Sequence, residues 1–232
     1  MLILVLAEAS LELVPDDLWS HPAVRRHSKR QRKRPKHLLL DRSLHHSAMG
    51  RLENNDKRGR PDITHFALLE ALGSPLNKEG LLQVYVHTNK NYTITINPST
   101  RLPRNYNRFI GLMEQLFQLG TVPSEGEPLL VLEHKTLQQL LTEAKTDYIL
   151  AFSREGKPKT LQDTVSNLLA KRRPAVIIGG FPHGHFSKTT VQLADEVVCV
   201  DSEMLEAGIL TSRVIYEYER ALSVPRKRLE AD

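Results

Sequence analysis

Hydrophobic and polar positions alternate along this chain in two distinct ways, and the change between them marks its organisation. Residues 2–7 form an unbroken apolar run that predicts a first strand buried on both faces. Further on, Leu82, Val84 and Val86 alternate with polar partners, as do Tyr92, Ile94 and Ile96. That period of two predicts a hairpin over residues 81–97, with its turn at 87–91. Helical spacing appears at Phe66, Leu69 and Leu72, after a start signal at residues 61–64, and Gly73, Ser74 and Pro75 end it. Residues 109–119 read as a second helix stopped by Gly120, 129–132 as a strand and 137–145 as a helix.

The last third has a different character. Residues 148–152, 175–178 and 197–200 are short, nearly continuous apolar runs, and helical patterns lie between them at 161–171 and 189–194. Strands buried on both faces and alternating with helices predict a parallel sheet. An amphipathic helix is expected over 211–222, followed by a basic tail at 226–228. The fold class is therefore α/β. Residues 38–41 read as a strand end.

Composition narrows the function. At 232 residues, 40% apolar and 25% charged, the chain has the make-up of an ordinary globular protein. Its one cysteine, Cys199, sits in an apolar run, which excludes a disulfide framework and suggests a core thiol in a reducing compartment such as the cytoplasm. No apolar run is long enough to span a membrane, so no membrane partner is expected.

The net charge of +5 is unevenly placed. Residues 21–38 hold Arg25, Arg26, Lys29, Arg30, Arg32, Lys33, Arg34 and Lys36 without a single acid, so the rest of the chain is mildly acidic. Such a local excess suits a polyanion, although a solvated basic loop is the plainer reading of any charge run.

Three stretches are candidates for chemistry. In the first, a buried strand runs into Gly179-Gly180-Phe181-Pro182-His183-Gly184, where glycine permits close approach of the backbone to a ligand. Ligands in parallel sheets sit beyond the carboxyl ends of strands. The spacing matches neither G-x-G-x-x-G nor a P-loop. Next, Arg101, Arg104 and Arg108 fall in a stretch without acids from 97 to 113, at spacings that share one face of a helix or turn. Guanidinium forks suit phosphates. The third stretch, residues 60–65, puts Arg60 two positions from Asp62, which reads as a helix cap with an ion pair or as a proton-handling pair. His45-His46 and the pair His183 and His185 lack a third ligand at metal spacing, so no metal is expected.

In order along the chain, residues 38–41, 45–49, 60–65, 74–78, 80–88, 97–98, 101–109, 111–113 and 179–184 resemble the ribosome-biogenesis methyltransferases that modify N1 of a pseudouridine in small-subunit ribosomal RNA, in their archaeal branch. The resemblance implies one SPOUT-class domain over residues 1–232, its parallel sheet ending in a deep trefoil knot, with the hairpin and the basic segment 21–38 as elaborations. It implies a homodimer. It also implies S-adenosylmethionine held by three loops: Phe152 and Ser153; Gly179, Gly180, Phe181 and Gly184; and Val200, Asp201, Ser202, Glu203, Met204 and Leu205. Arg60, Arg101, Arg104 and Arg108 match the family's RNA-contacting arginines, and Asp62 with Arg60 its catalytic motif. Gly73 stands where the family usually has an aspartate. The alternative from another class is an RNA-binding assembly factor in which methyl transfer is secondary or absent. Both readings need RNA, but only the enzyme needs the cofactor.

Overall fold

A computed structural model describes residues 1–230. The chain opens with β1 (Leu2–Ala9), α1 (Pro22–Gln31), α2 (Arg42–Met49), α3 (Pro61–Gly73) and α4 (Pro75–Lys78). The hairpin strands β2 (Leu82–Thr88) and β3 (Tyr92–Ile96) follow, then α5 (Tyr106–Leu119), β4 (Thr121–Val122), β5 (Leu130–His134) and α6 (Leu137–Glu143). The last third comprises β6 (Tyr148–Pro158), α7 (Leu161–Leu169), β7 (Pro174–Gly179), α8 (Lys188–Leu193), β8 (Glu196–Cys199), α9 (Ala207–Ala221) and α10 (Val224–Leu229).

One sheet runs β4-β5-β3-β2-β1-β7-β6-β8. From β2 to β8 the neighbours are parallel, whereas β3, β5 and β4 join antiparallel. The expected parallel sheet is therefore mixed. The hairpin is the reason: β2 pairs with β1 and turns its other edge to β3, which opens an antiparallel wing.

β1 is the centre of the core. Leu2, Leu4 and Leu6 face one hydrophobic cluster and Ile3, Val5 and Ala7 the other, all fully buried. The period-two geometry of a strand makes an unbroken apolar run necessary there. Leu4→Ala would cost roughly 2–5 kcal/mol through poorer packing and a cavity.

The end of β6 curls around β8. Val198 is opposite both Phe152 and Lys157, so residues 153–156 pass around it. At Gly156 a Cβ would lie 2.5 Å from the Val198 backbone, a clash that only glycine avoids.

Several expectations change. In α3 the buried side is Thr64, His65, Ala67, Leu68 and Ala71, while Phe66 is exposed. Phe66 lies beside Gly208 at the start of α9 and Leu72 packs partly buried on the main cluster, so only part of the expected stripe turns outward. The basic segment contains the unexpected helix α1, whose Val24 joins a third cluster with Leu38, Leu40 and Met49. Residues 38–41 make only a single bridge, Leu13 to Leu39. The amphipathic helix begins earlier, at Ala207, and buries Leu210, Val214, Ile215 and Tyr218 within the chain. Cys199 is half-buried rather than in the core, its Sγ 3.1 Å from the Asp201 carbonyl oxygen.

Candidate functional site

A cleft of about 1010 Å³ opens at the carboxyl ends of β7 and β8 and beside the middle of β6, just past the point where its pairing with β7 stops. Phe152, Ser153, Gly179, Phe181, Gly184, Val200, Asp201, Glu203, Met204 and Leu205 all line it. Three segments far apart in the chain thus meet as expected. Gly180 and Ser202 are not among the lining residues. Gly180 instead faces β1: its N–H donates to the Ala7 carbonyl at 2.9 Å, and a Cβ would meet Ala9 at 2.8 Å.

The glycine loop is held from behind. Gly184 has φ +88°, and a Cβ there would come within 3.0 Å of the Lys57 side chain. The Lys57 ammonium lies over the Phe181 ring, 4.4 Å from its centroid, donates to the His185 carbonyl and reaches the Glu8 carboxylate at 3.3 Å. On its other oxygen Glu8 accepts from the Ser187 N–H and the Thr190 hydroxyl, both at 2.8 Å. Burial works against the Glu8 charge, but these donors and Lys57 outweigh it and hold the carboxyl below its ordinary range. The residue adopts a left-handed φ of 51° to make these contacts. Sequence reasoning missed both partners of this clasp. A lone carboxylate at the end of an apolar strand was the one available signal.

Arg60 and Asp62 also line the cleft, at the start of α3. Pro61 fits the first helical position, and Asp62 lies in the first turn, where the helix dipole favours it. Their two side chains form a fork: Nε donates to Oδ1 at 2.8 Å and Nη2 to Oδ2 at 2.7 Å. The bond to Asp62 raises the Arg60 pKa above its ordinary value. No side-chain hydrogen bond caps α3.

Arg101, Arg104 and Arg108 do not line the cleft, and all three are exposed. Only Arg108 is helical; the others precede Asn105, which caps α5 by accepting from the Arg108 N–H at 3.1 Å. This arginine segment is tied to the Arg60 motif through α3. His65 Nε2 lies 2.7 Å from the Pro103 carbonyl oxygen, and its ring stacks on Phe109 at 4.3 Å. Tyr106 donates to Asp41 at 2.7 Å, and burial first, then Asp41, raises its pKa.

Gly73 is at the far end of α3, eleven residues from Asp62, or about 16 Å along the axis. It is exposed, and a Cβ there would meet nothing. Among the described residues no group of three histidines, cysteines or acids could hold a metal ion. His45 instead packs against His27, with ring nitrogens 2.9 Å apart. No helix of the described residues is long and apolar enough to cross a membrane.

The chain is similar to known proteins over nearly its whole length. The ribosomal RNA small subunit methyltransferase Nep1 of Thermococcus kodakarensis is 45% identical over 97% of this chain and all of its own length. The protein of that name from Staphylothermus marinus is 42% identical over 95% of this chain and 96% of its own. Archaeoglobus fulgidus Nep1, whose crystal structure was solved bound to S-adenosylhomocysteine, superposes with a TM-score of 0.85 at 40% identity, covering 95% of this chain and 98% of that one. A model of the EMG1/NEP1 methyltransferase family matches residues 4–219, and with these relatives at such coverage the chain belongs to that family.

Proposed function

We propose that this protein uses S-adenosylmethionine to methylate small-subunit ribosomal RNA, at N1 of a pseudouridine. The observation that carries the reading is the cleft itself, where segments at the carboxyl ends of β7 and β8 and in the middle of β6 meet the Arg60–Asp62 pair. Its relatives carry the name of a small-subunit methyltransferase, and a structural neighbour binds the demethylated cofactor.

The residues present fit that cofactor. Phe152, Ile178 and Phe181 offer apolar surface for a flat base, and Asp201 and Glu203 offer acceptors for hydroxyls. Gly184 leaves backbone exposed where a side chain would strike Lys57. Phe152 and Ser153, Gly179 and Phe181 with Gly184, and Val200, Asp201, Glu203, Met204 and Leu205 are the proposed holding residues. When bound, the cofactor supplies an electrophilic methyl group. Pseudouridine carries a hydrogen on N1, so its alkylation requires that proton to leave. Asp62 is the group we assign to orient or accept it, and Arg60 fixes the carboxylate by its fork. Arg101, Arg104 and Arg108 hold the RNA backbone next to the cleft.

The chain forms one knotted domain in this reading. The passage of residues 153–156 around Val198, with α9 then returning to α3, supports a trefoil knot. A homodimer completes the site: Phe66, Met204, Ile209 and Tyr216 are exposed, 64%, 55%, 45% and 60% respectively, and the first three line the cleft. The cytoplasm is its place of work. Incubating small-subunit RNA with the protein and labelled cofactor, then analysing nucleosides by mass, tests the reading. Labelled N1-methylpseudouridine is the expected product, and its absence defeats the assignment.

A further inference from the structure

The function proposed above makes no use of the most charged part of the chain. Arg25, Arg26, Lys29, Arg30, Arg32, Lys33, Arg34 and Lys36 are all exposed, on α1 and the loop after it. Among the described residues only Lys33 forms an ion pair, with Glu114 of α5. Of the other seven, only Lys29 and Arg30, in the last turn of α1, gain from its dipole. Arg25 with Lys29 and Arg26 with Arg30 are like charges one helical turn apart, which destabilises a helix. Arg25 and Arg26 also sit near the positive end of the α1 dipole.

The helix is nevertheless held rigidly. Val24 is buried in the third hydrophobic cluster, and His27 packs against the buried His45. Arg32 ends α1 in a left-handed turn closed by the Lys33 N–H to the Ser28 carbonyl. Lys33 and His37 then fasten the loop to Glu114 and Gln118 on α5. Glu114 is six residues from Arg108, about 9 Å along that helix. A fixed set of cations therefore adjoins the arginine segment.

What the patch lacks identifies its ligand. Residues 21–38 contain no phenylalanine, tyrosine or tryptophan, and the nearest aromatic, Trp19, 39% exposed, is tied to the Val14 carbonyl by its indole N–H at 2.9 Å, so the basic segment carries no row of aromatics of the kind that grips unpaired bases. Nor does α1 expose a large apolar side chain of the kind that anchors protein interfaces. Cations without either suit a phosphate backbone whose bases are already paired.

We propose that α1 and its following loop are a second RNA platform that grips the backbone of a duplex stem flanking the modified nucleotide. The inference rests on the RNA-methyltransferase reading, and its test keeps the two apart. The full chain and its R25Q/R26Q/K29Q/R30Q variant are compared on two RNAs that share one pseudouridine loop. One has a long stem, the other a stem of a few base pairs. Wild-type methylation of the short-stem RNA reports on the enzyme reading alone, whatever the variant does.

On the long stem the variant should bind at least about tenfold more weakly at physiological salt. The slope of log affinity against log salt should fall by roughly 0.9 for each phosphate that is no longer neutralised. On the short stem affinity should stay within about twofold. Relief of the like-charge pairs and loss of the dipole contacts of Lys29 and Arg30 oppose one another, so the melting temperature should change little, and a thermal melt of the variant shows that misfolding does not imitate the result. Unchanged affinity and slope on the long stem would overturn the proposal, as would an equal loss on both RNAs. Loss of polyglutamate binding with RNA binding intact would assign the patch to an acidic protein and overturn it too.

Discussion

Both carboxylate oxygens of Asp62 accept from the guanidinium of Arg60, at 2.8 and 2.7 Å. The pair is about a third exposed on each side, 39% and 32%, so it contributes little to stability. Asp62 also caps no helix. Asp62→Asn should therefore change unfolding free energy by less than about 1 kcal/mol. It should slow single-turnover methylation by roughly 10²-fold, within the range for a lost proton-handling group. RNA affinity should fall far less. A variant that unfolds early, or that loses RNA binding and turnover together, would mark the pair as structural.

Substrate choice offers a second check. The position that bears N1–H in pseudouridine is a carbon in uridine, with no comparable proton or nucleophilicity. RNA with pseudouridine at the target should be methylated, and the same RNA with uridine should not. Equal product from both would remove the pseudouridine assignment.

Gly184→Val places a branched side chain at φ +88° and against Lys57. The backbone penalty alone is about 1–2 kcal/mol. Calorimetry should show S-adenosylmethionine binding abolished or weakened by at least tenfold, while the sheet, which Gly184 does not enter, stays folded. Unaltered affinity in a folded variant would move the cofactor elsewhere.

Replacing Arg101, Arg104 and Arg108 together with glutamine should lower the salt slope of RNA binding by roughly 2.7 if each meets one phosphate. Cofactor affinity should not change, because none of the three lines the cleft. A slope equal to wild type would take them out of the interface.

Stability should also depend on His45. Burial, then His27, lowers its pKa to about 4, and Asp41 only partly opposes this. A folded-state pKa below the unfolded value means that the unfolded chain binds more protons between pH 6.5 and 4. Stability therefore falls as pH drops through that window, by up to about 3 kcal/mol. His45→Gln should flatten the dependence in pH-resolved thermal melts. An identical slope in the variant would mean that another group governs it.

The sequence was most readable where one physical demand dominated. β1, β7 and the first half of β6 are buried on two faces, and continuous apolar runs announced them. The glycine loop at 179–184 was legible from a strand end, whereas the segments at 152–153 and 200–205 came only from the family resemblance. α1 stayed hidden because only Val24 and His27 of its ten residues are buried, leaving almost no apolar period among the cations. α3 was placed correctly but turned partly wrongly, since its buried side is Thr64, His65, Ala67, Leu68 and Ala71 while Phe66 is exposed. Gly180 was grouped with the cleft by its neighbours, although its lack of a side chain serves Ala9. The Glu8–Lys57 clasp joins residues 49 apart to a loop near 185, and no local pattern records such a meeting.

Because its most C-terminal loop, near residues 200–205, completes the cleft, the chain also has an order of manufacture. A ribosome making this chain releases Arg101, Arg104 and Arg108 first, and the segment through Leu205 almost a hundred residues later. At cellular elongation rates that is roughly 5–20 s. Throughout that interval the nascent polypeptide carries its arginines but not the last loop of its cleft. The surface assigned to RNA is thus synthesised before the chain has any means of modifying it.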